Sequence, residues 1–229
     1  MGAMIGENDV RKWLIPFDLK LTSGQLGQLI AYLDLLLYWN RKINLTAVRS
    51  PRECVTRHFG ESLYLARWVE LNGANLDVGS GAGFPGLALK IVFPNLRTTL
   101  LEPVAKKRAF LKEVIRSCEI EAVEVRPVRL EELVGCGGRD IDEGEAKATS
   151  CFDSVTARAV GRLPSLVGTA ACLLKAGGQL CLWVSRGQST DLVDQEGPVT
   201  WRAPIAIPLS ARREILTGVR LGANSACFT

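Results

Sequence analysis

Leu76-Asp77-Val78-Gly79-Ser80-Gly81-Ala82-Gly83-Phe84-Pro85-Gly86 is the stretch from which the fold is read. Four glycines in eight residues, Gly79 to Gly86, let the backbone turn sharply and come close to a ligand just before a helix starts. Two cofactors suit such a loop. Gly81-x-Gly83-x-x-Gly86 matches the dinucleotide fingerprint, and Glu102, 19 residues past Gly83, stands near the spacing of a ribose-binding acid. Asp77-x-Gly79-x-Gly81-x-Gly83 equally matches a methyltransferase loop, in which the glycines admit the methionine part of S-adenosyl-L-methionine. Three features favour the methyl donor. A carboxylate at Asp77 suits a cationic amino acid and sits awkwardly beside a pyrophosphate. A helical stretch of about 70 residues precedes the loop, whereas a dinucleotide domain usually opens its chain. No later segment has the dyad that hydride transfer needs. An NAD(P)-dependent reductase stays as the alternative, beside a methyltransferase acting on a small molecule or protein.

Outward from the loop, strands and helices alternate. Strands are expected at 75–78, 98–101, 122–126, 152–156 and 179–184, with helices at 86–92, 106–118 and 163–174. Repeated strand-then-helix units imply an α/β fold, a mostly parallel sheet flanked by helices. Ligands of such sheets bind at the carboxyl ends of the strands. Glu102 and Arg158 fall there, as do Leu130 and Glu131, between which an adenine would fit. Each has a plainer reading too: Leu130 and Glu131 as an acid-rich first helical turn, Arg158 as a surface ion pair. Residues 135–150, rich in Gly and acids, read as a surface loop.

Residues 1–70 read as an N-terminal helical cap before a Rossmann-like domain at 71–229. Thr22 and Gln25 have capping-box spacing, and Leu26, Leu29, Ile30, Leu33, Leu36 and Leu37 continue it as an amphipathic helix over 22–40. A second helix is expected over 52–70, joined by the polar and aromatic connector 39–46. Arg41, Lys42, Arg49, Arg52 and Arg57 make the cap basic, with Trp39 placed for stacking. Lys106, Lys107, Arg108 and Lys112 open the next-but-one helix; cations there oppose the helix dipole, so phosphate contact explains them better than helix stability.

Composition bounds the function classes. Across 229 residues, 47% hydrophobic and 23% charged, the chain suits a globular protein with a sizeable core. No apolar run reaches the roughly 18 residues of a membrane span, and no signal-peptide succession opens the chain, so a cytoplasmic protein is expected. The initial Met-Gly-Ala-Met reads as an expression scar. The seven cysteines are scattered, without a CxxC pair, and His58 is the single histidine; a metal site is not expected, and buried thiols are. The net charge of +4 hides a bias: Glu131–Glu145 holds six acids against Arg139, leaving the rest of the chain at +9. That balance is compatible with a polyanionic partner.

Five motifs in order, Trp39-Asn40-x-x-Ile43-Asn44-Leu45-Thr46, Arg57-His58-Phe59-x-x-Ser62, Asp77–Gly86, Lys106-Lys107-x-x-Phe110-Leu111 and Arg158-Ala159, give the chain a family likeness. It resembles the small-subunit (16S) ribosomal RNA guanine-N7 methyltransferases, the glucose-inhibited division protein B family, from about Leu26 to Gln188. The resemblance implies a class I methyltransferase fold, S-adenosyl-L-methionine as cofactor, and ribosomal RNA or the small ribosomal subunit as partner of a monomer. By position, Gly79, Phe84, Leu130, Glu131 and Arg158 match family cofactor contacts, joining Asp77, Gly81, Gly83 and Glu102 from the loop reading. Lys106, Arg158, Arg186 and Arg213 match a basic pocket beside the cofactor that positions the reactants. RNA contacts are expected from Arg41, Lys42, Arg57, His58, Lys106, Lys107 and Arg186. The chain departs from the family pattern with Arg186 in place of Lys, Glu61 in place of Asp, and Arg213-Glu214 in place of Arg-His. Arg186 keeps the charge and gains a fork suited to phosphate.

The implied reaction is in-line displacement at the sulfonium methyl by guanine N7. That nitrogen carries a free lone pair near neutrality, so no general base is required, and alignment, worth up to about 7–11 kcal/mol in favourable cases, carries the catalysis.

Overall fold

The computed structural model describes residues 5–135, 151–159, 161 and 163–222; the acidic segment expected to loop at 135–150 lies almost wholly outside them. The chain opens with α1 (Glu7–Leu14), which buries Val10 and Leu14. Helix α2 (Ser23–Ile43) begins at the expected capping box: the Gln25 amide donates to Thr22 Oγ1 at 3.2 Å, and Gln25 Oε1 accepts from the Thr22 amide at 3.0 Å. It runs three residues beyond the expected end. Arg41 and Lys42 sit in its last turn, where cations favour the dipole, and it stops only at Asn44, whose φ of 50° is left-handed. The helix expected over 52–70 is instead four short pieces: α3 (Pro51–Cys54), a π-helical turn (Val55–Gly60), α4 (Glu61–Leu63) and a 3₁₀ turn (Tyr64–Arg67).

Then comes the alternating core: β1 (Ala74–Val78), α5 (Gly86–Val92), β2 (Arg97–Leu101), α6 (Ala105–Ser117), β3 (Val123–Arg126), α7 (Leu130–Gly135), β4 (Phe152–Arg158), α8 (Leu163–Leu173) and β5 (Leu174–Ser185). Within this core every expected strand and helix is present, though β5 is twelve residues long rather than six. After α9 (Arg186–Val193), β6 (Val199–Trp201) and β7 (Ile205–Ala206), the strand β8 (Arg213–Arg220) returns antiparallel to β5. None of these last three strands had been expected. The sheet order is β3-β2-β1-β4-β5-β8-β6, with β7 beside β8. Strands β1 to β5 pair in parallel, so the α/β expectation holds, and the order reverses between β1 and β4, the kind of switch point where open sheets leave a crevice.

Each face of the sheet has its own core. Leu76, Val78, Val155, Leu180 and Leu216 pack under α7, α8 and α9. Leu100, Cys181, Trp183 and Ile215 face the other way and share one core with α5, α6 and the N-terminal helices, including Phe17, Leu33, Phe59 and Leu63. The strand period of two does this sorting. It also turns Asn75 and Asp77 toward the α5 side, where a buried polar chain crosses from β4 to β1. Ser154 Oγ donates to Asn75 Oδ1 at 2.8 Å, Asn75 Nδ2 reaches Thr156 Oγ1 at 3.5 Å, and Thr156 Oγ1 donates to Asp77 Oδ1 at 2.7 Å. No helix among the described residues is long and apolar enough to cross a membrane. Cys54, Cys118 and Cys181 are buried thiols, whereas Cys151 is exposed.

Candidate active site

At the switch point a cavity of about 690 Å³ opens along the carboxyl edge, lined by Val78 and Gly79 after β1, Leu101 and Pro103 after β2, Val128 to Glu131 before and in α7, and Gly161, Ser165 and Leu166 around α8. Gly79, Leu130 and Glu131, expected from separate arguments, thus share one hollow. Leu101, Val128, Leu130 and Leu166 give it apolar walls, Arg129 and Ser165 add polar groups, and Glu131 stands exposed at its rim.

The rest of the glycine loop supports this hollow from outside. Gly86, the first residue of α5, lies so close to Asp77 that a Cβ would fall 2.4 Å from the Asp77 Cβ. Asp77 is fully buried. Thr156 satisfies its Oδ1, while Oδ2 has no hydrogen-bond partner. Burial raises its carboxyl from the ordinary 3.8 to about 6, against the pull of Ser80, Thr156 and the Gly86 backbone. Glu102 is also buried, and both its oxygens serve the loops: Oε2 accepts from the Gly81 amide at 2.9 Å and Oε1 from the Val104 amide at 2.8 Å. A carboxylate so used fixes the β1 and β2 loops to each other; each oxygen retains a lone pair.

Gly83 and Phe84 turn away from the cavity, toward the N-terminal helices. The Tyr32 hydroxyl of α2 donates to the Ala82 carbonyl, and the Phe84 ring lies parallel to Tyr32 (5.3 Å, 4°) and near-parallel to His58 (5.1 Å, 23°). Helix α2 therefore props the glycine loop from behind. Tyr32→Phe keeps the ring and deletes the donor, stranding a buried carbonyl; a loss of about 1–3 kcal/mol in unfolding free energy is expected, checked by denaturant melts, with weaker cofactor binding by calorimetry.

The Trp39–Thr46 motif is explained mostly by local structure. Asn40 Oδ1 accepts from the Thr46 amide at 2.8 Å, and its Nδ2 donates to the Val48 carbonyl at 3.1 Å. Trp39 packs edge-on against Phe110, half-buried, so it is a prop of the core rather than an open stacking platform. Thr46 Oγ1 lies 2.8 Å from His58 Nε2. Burial first, then Arg158, Arg57 and Arg213, lowers His58 to about 3, so its imidazole is neutral at physiological pH.

The basic residues fall into two groups. Arg158 ends β4 as expected but points into the N-terminal helices. Its Nη2 donates to the Arg57 carbonyl at 2.6 Å and to Glu61 Oε2 at 3.0 Å, and its Nη1 to Ser62 Oγ at 3.3 Å. Burial lowers it to about 10. It does not line the cavity. Arg213 meets the other Glu61 oxygen at 2.5 Å, and Arg186 Nε lies 3.2 Å from Glu214. Lys106, Arg41 and Lys42 are exposed, Lys107 half-buried. Lys42 bonds Tyr38 Oη at 2.5 Å, Arg57 lies 3.8 Å from Glu53, and Lys106 has no ion-pair or hydrogen-bond partner among the described residues. Arg108, by contrast, donates to the Glu102 and Pro103 carbonyls at 3.1 and 2.6 Å. Sequence reasoning missed Glu61, which a substitution within a motif had flagged only as a departure.

A cavity at the switch point and a glycine loop with a buried acid beneath it mark this carboxyl edge of the sheet as the candidate site. The sequence model of the family described as GidB, rRNA small subunit methyltransferase G, matches residues 25–200. The chain belongs to the rRNA small subunit methyltransferase G family. A relative named ribosomal RNA small subunit methyltransferase G, from Chloroflexus aggregans, is 37% identical over 224 residues, covering 94% of this chain and 89% of the relative. Among solved structures, a fibrillarin/Nop5p complex aligns with a TM-score of 0.55 at 15% identity over 71% of this chain and 82% of its own. A methyltransferase from Pyrococcus furiosus aligns with a TM-score of 0.54 at 14% identity, over 87% and 100%. At such identities the likeness is one of fold. The family model's match ends at residue 200, so Arg213 of β8 lies outside the residues it covers.

Proposed function

We propose that the protein transfers a methyl group from S-adenosyl-L-methionine to N7 of a guanine in small-subunit ribosomal RNA. The cavity carries the reading. Leu101, Val128 and Leu130 offer apolar walls for an adenine, and Glu131 an acid for ribose hydroxyls. Asp77, with one buried oxygen lacking a partner, provides the negative charge that suits a cationic ligand at the loop. The same carboxylate sits at the first turn of α5, against Gly86, where a dinucleotide would need its pyrophosphate, so the reductase reading is the poorer fit.

When bound, S-adenosyl-L-methionine supplies a sulfonium methyl open to attack. The residues of this chain hold and aim. Gly79 admits the ligand to the strand end, Glu102 holds the loops around it, and Lys106 and Arg186 stand exposed for RNA phosphates. Guanine N7 brings its own lone pair, and neutral His58, engaged with Thr46, is not needed as a base. A splayed guanine must reach the cavity, so a folded RNA or subunit is the fitting substrate.

The test is incubation with labelled S-adenosyl-L-methionine and small ribosomal subunits, followed by mapping of the modified base. Label at guanine N7 is expected; label on protein or small molecules alone contradicts the reading. Lys106→Ala should weaken rRNA binding and reduce the slope of log K against log salt by about 0.7–0.9, leaving cofactor affinity unchanged by calorimetry. An effect on the cofactor alone reverses the role given to Lys106.

A further inference from the structure

Glu61 opens α4 directly after the π-helical turn that carries Arg57 and His58, and it is 3% exposed. Its backbone carbonyl accepts from Trp183 Nε1 of β5 at 2.7 Å, which fixes it over the carboxyl half of the sheet. Its two carboxylate oxygens divide two guanidiniums between them: Oε2 takes Arg158 at 3.0 Å and Oε1 takes Arg213 at 2.5 Å. Two arginines drawn this close repel one another, and a buried carboxylate is the group that lets both stay.

The two arginines differ in what remains open. Arg158 has a side-chain exposure of 10% and spends its Nη donors inward, on Glu61, Ser62 and the carbonyls of Arg57 and His58. A guanidinium has five donors in a fixed fork, so little of Arg158 is left for a ligand. Arg213 is 33% exposed and starts β8 opposite Ser185, the residue before Arg186. It therefore stands at the same sheet edge as the exposed Arg186.

We propose that Glu61 is a positioning residue that locks Arg158 into the scaffold and holds Arg213 at the sheet edge, so that Arg213, not Arg158, is the guanidinium meeting an RNA phosphate. The inference rests on the rRNA methyltransferase reading. It gives Arg213 its role through Glu61 and moves Arg158 from ligand contact to architecture.

The experiment uses the full chain and small ribosomal subunits, with methyl-transfer kinetics across a salt series, calorimetric titration of S-adenosyl-L-methionine, and thermal melts. Glu61→Gln keeps the shape but can no longer neutralise two guanidiniums. It should raise KM for the subunit about tenfold, with kcat and cofactor affinity within about twofold, and Glu61→Asp should recover most of the loss. Arg213→Ala should flatten the salt dependence of KM by about one contact, 0.7–0.9 in log–log slope. Arg158→Ala should lower the melting temperature and leave the slope as it was. An unchanged KM in Glu61→Gln, or equal flattening by both arginine variants, overturns the proposal. If Glu61→Gln does not fold, Arg213→Ala decides alone: an unaltered slope overturns it. Failure of the underlying reading is distinct, since the unaltered protein would then transfer no methyl group to the subunit, and the inference falls with it.

Discussion

Asp77→Asn is expected to gain stability over the unaltered protein as pH rises, by about 1–3 kcal/mol between pH 4 and pH 7, while losing cofactor affinity. The sign follows from burial. The Asp77 carboxyl is raised from 3.8 to about 6. A raised acid contributes stability that is fully present below its unfolded value and is lost as pH rises through the folded one. Above about pH 6 the native protein therefore holds an ionised carboxylate in a fully buried site, one oxygen of which has no partner. Asparagine removes that cost, and denaturant melts at several pH values read the difference. A pH-independent difference contradicts the account. The lost affinity is the functional counterpart, since a strained or unpaired group at a binding site is commonly retained at the expense of stability; unchanged affinity by calorimetry removes Asp77 from the cofactor site.

Gly83→Ala is expected to cost about 2–4 kcal/mol, from two sources acting together. Gly83 has φ of 87°, a region that penalises a side chain by about 1 kcal/mol or more. An added Cβ would also lie 2.1 Å from Tyr32 Oη, 3.1 Å from Leu87 Cβ and 3.2 Å from Leu111 Cδ2, and overpacking of this kind costs about 1–3 kcal/mol. For a chain of this size the melting temperature should fall by roughly 5–15 °C. Because the Tyr32 hydroxyl holds the Ala82 carbonyl, the strain should spread into the glycine loop and weaken cofactor binding at least tenfold. A variant with unaltered melting temperature would show that α2 does not support the loop.

The parallel core was legible in the sequence because its strands are short runs rich in Val, Leu and Thr, the first of them bounded by Gly73 and Gly79, and most are followed by helical periodicity. Gly86–Val92 was read to the residue. The C-terminal strands were not legible. Ile215 and Leu216 of β8 are both fully buried, on opposite faces of the sheet, so the strand lacks the alternation that marks a half-exposed one, and β6 and β7 are three and two residues long. The break-up of the 52–70 helix was hidden for a related reason: Val55, Phe59 and Leu63 keep helical spacing, and a π-helical turn barely disturbs it.

Of the candidate site, Gly79, Leu130 and Glu131, expected from the glycine loop, the strand ends and the family resemblance, line one cavity, since local loops place them at the strand ends. What chain order could not reveal is how the surrounding charges are used. Arg158 lies 97 residues from Glu61 and Arg213 lies 152 from it; only the closed sheet brings the three together. The same holds for Glu102, whose hydrogen bond to Gly81 spans 21 residues, and for Trp39, which meets Phe110 only once α2 lies against α6.

The most direct test is a crystal of the protein soaked with S-adenosyl-L-methionine. Density for the adenine is expected between Leu101 and Leu130, with the ribose toward Glu131 and the sulfonium beside Gly79. A vacant cavity at saturating ligand, or a pyrophosphate bound along the glycine loop in a parallel soak with NADPH, would contradict the account.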